Sequence, residues 1–255
     1  SGRLTAGFVE SLVEPMLSFF GVASPEGWEA QYDQLQAQFR RARPAAQTDV
    51  AAITAWLRMG EIEAQRREVP PFDAAKLEAA LPAMRALTVA DAVTIGKELS
   101  RLCAQAGVVL VFVPALQGAH VSGVARWLHG RPLIQLSLLG KWNDTFWFSF
   151  FHEVGHVLKH QSRRAVYLDD ASSGDHTTSP DELEANRFAS DVLMPPELVS
   201  ELSQLVLTEA SVKAWAIQVG LHPGIVVGQL QHRKRLPWAH PLTKLKARYD
   251  IQTKA

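Results

Sequence analysis

Residues 143–160 read NDTFWFSFFHEVGHVLKH. Phe146, Phe150, Phe151, Val154, Val157 and Leu158 recur at helical spacing, so the stretch predicts a buried helix from about Asn143-Asp144 to His160. His152-Glu153-Val154-Gly155-His156 within it is an HExxH pattern. Residues four apart share a helix face, so both imidazoles reach one ion. Glu153 sits about 100° further round, beside that ion, where a carboxylate takes a proton from water. Two imidazoles and a carboxylate inside an apolar helix are costly unless something uses them. The bland alternative is a pair of hydrogen-bonded core histidines.

Catalytic zinc takes three protein ligands and keeps a fourth position open. The metzincin pattern fails, because Lys159 and Ser162 stand where it needs glycine and histidine. His160 continues the i, i+4 series, but it lies about 6 Å further along the axis, too far for three ligands to converge on one straight helix. The next predicted helix, opening at Ser179-Pro180 and ending at Pro195-Pro196, offers two glutamates. Glu182 shares a face with Ala185, Ala189 and Val192, which must pack inward. Glu184 shares the opposite face with Arg187 and Asp191, and is read as a solvated residue pairing with Arg187. Glu182 is therefore the third metal ligand beside His152 and His156; a capping box with Ser179 is the other use of its spacing. Asn186, four residues on, is placed to accept the free N–H of a ligating histidine.

Working outward, Val108–Val113 is a continuous β-branched run stopped by Pro114, as a buried strand should be. Val121–Leu128, Leu133–Leu138 and Ala165–Leu168 predict three more strands, and 169–179 a polar loop. The first third predicts helices, with Asp73 and Thr88 as N-caps. Helical pattern resumes from Glu197 and ends in a basic stretch read as a solvated helical tail. The fold class is therefore α+β, a small mixed sheet between helical ends. Lys plus Arg and Asp plus Glu are 26 each in 255 residues, and 47% of residues are hydrophobic. Such balance excludes a disordered chain, a coiled-coil rod and a supercharged nucleic-acid binder. No run reaches the roughly 18 apolar residues of a membrane span. Cys103 is the single cysteine, which excludes an internal disulfide and fits a reducing cytoplasm.

The stretches FWFSFFHEVGHVLKH and DELEANRFASDVLMP, with FFGVASPEGW, AWLRMGEIEA, SGVARWL, IQLSLLGKWND and GLHPGIVVGQLQH around them, resemble the ImmA/IrrE family of zinc metallopeptidases. The likeness runs from about Phe8 to His232 and is strongest for a subgroup with an N-terminal Xre-type helix-turn-helix. It implies a gluzincin-like fold, with His152, His156 and Glu182 on zinc and Glu153 as general base. It also implies cleavage of a partner transcriptional repressor, in a stress or mobile-element response. No helix-turn-helix precedes residue 8, and Ser1-Gly2 reads as a cloning remnant. DNA contact is thus expected only through a domain outside this sequence. Three regions are expected: a helical interaction region over 1–105 that could hold a homodimer, the metallopeptidase core over 106–200, and a helical region over 201–255.

Further expectations complete the reading. In zincins the strand before the metal helix forms a sheet edge that holds extended substrate, which casts Leu133, Ile134, Gln135, Leu136, Ser137 and Leu138 as substrate-binding. Tyr167, or less favourably His176, is the expected second oxyanion donor. Trp127, Trp142 and Trp147 are read as core, with a substrate-pocket wall as the alternative. Cys103 is read as a buried apolar residue. The competing function is a zinc- or ligand-sensing regulatory module with little or no proteolysis.

Overall fold

The computed structural model describes residues 6–30, 32, 49–137, 142–160, 167–170 and 179–249, with the backbone alone described at 6 and 167–170. Helix α1 (Ala6–Phe20) opens the chain, and residues 25–30 are again helical. Asp49 caps α2 (Val50–Gln65) by accepting from the N–H groups of Ala51 and Ala52. Asp73 caps α3 (Ala74–Ala86) by accepting from Lys76 N–H at 3.0 Å. Thr88 is not the expected cap; it is buried in a 3-10 turn, Leu87–Val89. Asp91 caps α4 (Ala92–Gln105) instead, accepting from Val93 and Thr94 N–H at 3.0 Å each and from the Thr94 hydroxyl at 2.6 Å. Its carboxylate also brings a negative charge to the helix N-terminus, which a threonine cannot.

The sheet holds β1 (Val109–Phe112), β2 (Val121–Leu128), β3 (Arg131–Leu136) and β4 (Tyr167–Asp170) in the order β1-β3-β2-β4. β1 runs parallel to β3, while β2 is antiparallel to both β3 and β4. The β2–β3 hairpin turns at His129 and Gly130, with φ of 50° and 81°, the pair of positive values a tight two-residue turn requires. The expectation that Leu133–Leu138 forms a sheet edge does not hold. β3 is interior: Leu133, Ile134, Gln135 and Leu136 are paired to β1 on one side and β2 on the other. Ser137 N–H donates to Ser122 O at 3.0 Å, and its hydroxyl donates to Val121 O. Leu138 lies outside the described residues. A substrate strand cannot add to a backbone whose donors and acceptors are already spent.

Both faces of the sheet are covered, which is why the run from Val108 to Val113 is apolar at every position. Val109, Val111, Val113, Val124 and Leu133 pack on Ile53, Trp56 and Leu57 of α2. A buried polar set fixes this contact. Arg126 bonds Glu61 at 2.6 Å and donates to Leu57 O, and Gln135 donates to Trp56 O at 2.7 Å. A Cβ at Gly60 would lie 1.8 Å from Gln135 Oε1, so only glycine lets α2 come this close. Arg58 extends the set by donating to Phe19 O at 2.6 Å, which ties α1 down.

On the other face Leu110, Phe112, Ala125, Ile134 and Leu136 enter the larger core. That core takes in Leu99 and Cys103 of α4, the aromatic residues of α5 (Asn143–Lys159), and residues as far as Tyr249. Around it lie α6 (Pro180–Leu193), α7 (Pro196–Gln204), α8 (Glu209–Gln218) and α9 (Pro223–His232). Among the described residues, the basic stretch after α9 does not continue as a solvated helical tail. Pro241–Leu245 is a 3-10 turn, Lys246 is 8% exposed with its ammonium 2.6 Å from Asp144, and Arg248 lies over the Trp142 ring. Lys244 bonds Glu209 at 2.7 Å. Lys246 is thus held inside the fold, while Lys244 and Arg248 are exposed and paired on its surface. No helix among the described residues is long and apolar enough to cross a membrane.

Candidate metal centre

Helix α5 is the spine of the site. Trp142, 37% exposed, precedes it, and from Phe146 onward it is buried almost to its end. Trp147 is fully buried and Trp127 packs edge-on against Phe72, which favours the core reading of both. The close crossing of α5 and α6 depends on small residues. A Cβ at Gly155 would lie 3.3 Å from the Ala185 Cα and 3.1 Å from the Phe188 ring. This contact brings the start of α6 over the histidine face of α5.

Three donors converge there. His152 Nε2 and His156 Nε2 lie 2.9 Å apart, with Glu182 Oε2 and Oε1 at 3.2 and 3.4 Å from them respectively. Ligand atoms of one tetrahedral zinc, each 2.0–2.2 Å from the metal, stand roughly 3.3 Å apart. The donor set and its spacing therefore fit zinc. Among the described residues this is the one group of three such side chains able to hold an ion. Burial would raise the Glu182 carboxyl, but its contacts with His152 and His156 outweigh this and hold it at about 2. Burial also lowers His156, which favours the neutral imidazole that metals bind.

The partners of these groups are equally definite. His152 Nδ1 lies 3.0 Å from Asn186 Oδ1, so the imidazole donates there and turns its Nε2 lone pair to the site. Only the serine half of the capping box forms: the Glu182 N–H donates to Ser179 Oγ at 3.3 Å, while its carboxylate faces the histidines. Glu184 does not pair with Arg187. It faces His160 Nε2 at 3.1 Å, and Arg187 is 3.7 Å from Asp191. Helix phase alone hides this partner, because His160 belongs to another helix.

Glu153 is fully buried between α5 and the sheet. A Cβ at Gly123 of β2 would lie 2.8 Å from Glu153 Oε1 and 2.8 Å from Leu136 Cδ2. Gly123 is thus a site residue that sequence reading missed. The signal was an isolated glycine inside a strand pattern, which marks close approach by another group. Tyr167 pairs through its backbone with Ala125, but its side chain lies outside the described residues, as does His176 altogether. Cys103 is fully buried and its thiol is pushed up to about 12 by burial, which suits packing and not nucleophilic attack.

Comparison with known families matches residues 103–220 to the Peptidase M78 family, described as the IrrE N-terminal-like domain. No curated protein matches the chain. The matched segment contains the whole sheet, the HExxH helix and Glu182. Residues 103–220, a little under half of the chain, are thus similar to the IrrE N-terminal-like domain, which supports the resemblance to the ImmA/IrrE peptidases.

Proposed function

We propose that this chain is a zinc-dependent endopeptidase that cleaves a partner regulatory protein, such as a transcriptional repressor, in a stress or mobile-element response. The observation that carries the peptidase reading is the meeting of His152, His156 and Glu182 within ligand distance, with buried Glu153 beside them. When bound, zinc supplies a Lewis acid that acidifies water and polarises the scissile carbonyl. Glu153 takes the proton from the attacking water on a carboxylate oxygen and returns it to the leaving amine. Asn186 holds His152 in the tautomer that keeps its Nε2 lone pair toward the site. The repressor substrate rests on the family resemblance, and the cytoplasmic setting on the single cysteine.

The first test is metal content of wild type, Glu182→Ala and Glu184→Ala. We expect one zinc per wild-type chain, lost on dialysis from Glu182→Ala and still bound, with a smaller loss of affinity, by Glu184→Ala. No zinc in wild type after reconstitution would sink the reading.

A second reading, a zinc-held sensing module with little proteolysis, is favoured by burial of the site: His152, Glu153 and His156 are 2%, 0% and 1% exposed. It predicts that Glu153→Gln leaves function in cells unchanged. For assembly we propose a homodimer through the N-terminal helices. Phe8, Val9, Leu12, Val13 and Met16 of α1 share one face and are between 37% and 55% exposed. Light scattering is expected to give a dimer for wild type and a monomer for Leu12→Glu; a wild-type monomer refutes this.

A further inference from the structure

His160 lies too far along the chain to join the ligands, yet its ring turns back toward them. It is the C-cap of α5, with φ −118° and ψ 66°, and its N–H donates to His156 O at 3.0 Å. Leaving helical geometry at this residue brings His160 Nδ1 to 3.0 Å from His156 Nδ1. On its far side His160 Nε2 is 3.1 Å from Glu184 Oε2 and 3.8 Å from Asp181 Oδ1. The His160 side chain is 8% exposed, whereas that of Glu184 is 57% exposed.

One assignment of protons satisfies this row. A neutral imidazole that binds metal through Nε2 carries its proton on Nδ1. His156 presents Nε2 to His152 and Glu182, so its Nδ1–H donates to His160 Nδ1. Accepting there, His160 must carry its own proton on Nε2, and donates it to the Glu184 carboxylate. We propose that His160 and Glu184 are positioning residues for the metal centre: together they lock the tautomer and orientation of His156 and pass the pull of a carboxylate to its metal-facing nitrogen. The inference rests on the zinc reading above. It makes the two histidine ligands unequal, since His152 is held by the neutral amide of Asn186 and His156 by an imidazole backed by a carboxylate.

The test is zinc affinity of the full chain, by competition with a chromophoric chelator, together with the visible spectrum of the cobalt-substituted protein. Loss of such an outer partner typically weakens metal binding about 10–100-fold, and we expect that range for His160→Ala. Glu184→Gln, on an exposed position that leaves the fold intact, should shift affinity the same way by less. His160→Asn places an amide oxygen where Nδ1 stood and should recover most of the affinity. The cobalt spectrum should change in His160→Ala and return toward wild type in His160→Asn. The melting temperature of the metal-free protein should be similar across the series. Wild-type affinity in His160→Ala, or no recovery in His160→Asn, would overturn the relay while leaving the zinc reading intact. Failure of wild type itself to take up zinc would overturn both.

Discussion

Replacing Glu153 by glutamine should lower peptide hydrolysis by about 100- to 10,000-fold, the usual contribution of a positioned general base, while bound zinc stays at the wild-type level. Glutamine keeps the shape of the side chain, so the fit against Gly123 and Leu136 is preserved. It removes only the ability to take and return a proton. The side chain is fully buried, and burying a carboxylate costs more than burying an amide. The melting temperature of the metal-free variant should therefore equal or exceed that of wild type. Activity and stability then move in opposite directions, as expected of a group kept for chemistry at the expense of the fold. A large fall in melting temperature with little loss of cleavage would make Glu153 a structural residue and remove the general base from the mechanism.

Much of this arrangement was legible because it is local. The metal helix was bounded to within a residue by its apolar spacing: expected from about Asn143 to His160, it runs from Asn143 to Lys159. The inward turn of Glu182 follows from the small residues it shares a face with, Ala185 and Ala189, both buried and the first of them against Gly155 of α5. What escaped was set by pairing between distant segments. The edge expectation for Leu133–Leu138 rests on its place before the metal helix, as in zincins, and the alternation of Gln135 and Ser137 with Leu136 does not speak against it. Gln135 is polar for a different reason: it is buried and donates to the backbone of α2. An interior strand whose polar residue serves a covering helix has the same local pattern as an edge strand facing water. Strand order is carried by contacts such as Val111 with Gln135, which no window of sequence contains. Glu184 shows the same limit. Its helix phase correctly put it away from Glu182, but its partner sits at the end of a different helix.

Gly123→Ala tests the contact that sequence reading missed, and it should damage both stability and rate. β2 is held on both sides, by β3 and by β4, so the backbone at Gly123 has little room to retreat. The added methyl would meet Glu153 Oε1 and Leu136 Cδ2, each at 2.8 Å, and Glu153 Cγ at 3.0 Å. Overpacking of this kind costs about 1–3 kcal/mol, read as a fall in the denaturation midpoint. The catalytic consequence is larger than the steric one. Glu153 would be displaced by up to about 1 Å, and misplacement on that scale costs on the order of 100-fold in rate. Zinc content should hardly change, because His152, His156 and Glu182 lie on α5 and α6, away from the methyl. Combining Gly123→Ala with Glu153→Ala separates packing from chemistry. Removal of the Glu153 carboxylate opens the space the methyl needs, so the stability cost of Gly123→Ala should be smaller by about 1 kcal/mol or more in that background, a coupling typical of residues in contact. Simple additivity of the two substitutions would mean that Glu153 does not rest on Gly123, and the general base would then have to be positioned by some other wall of the site.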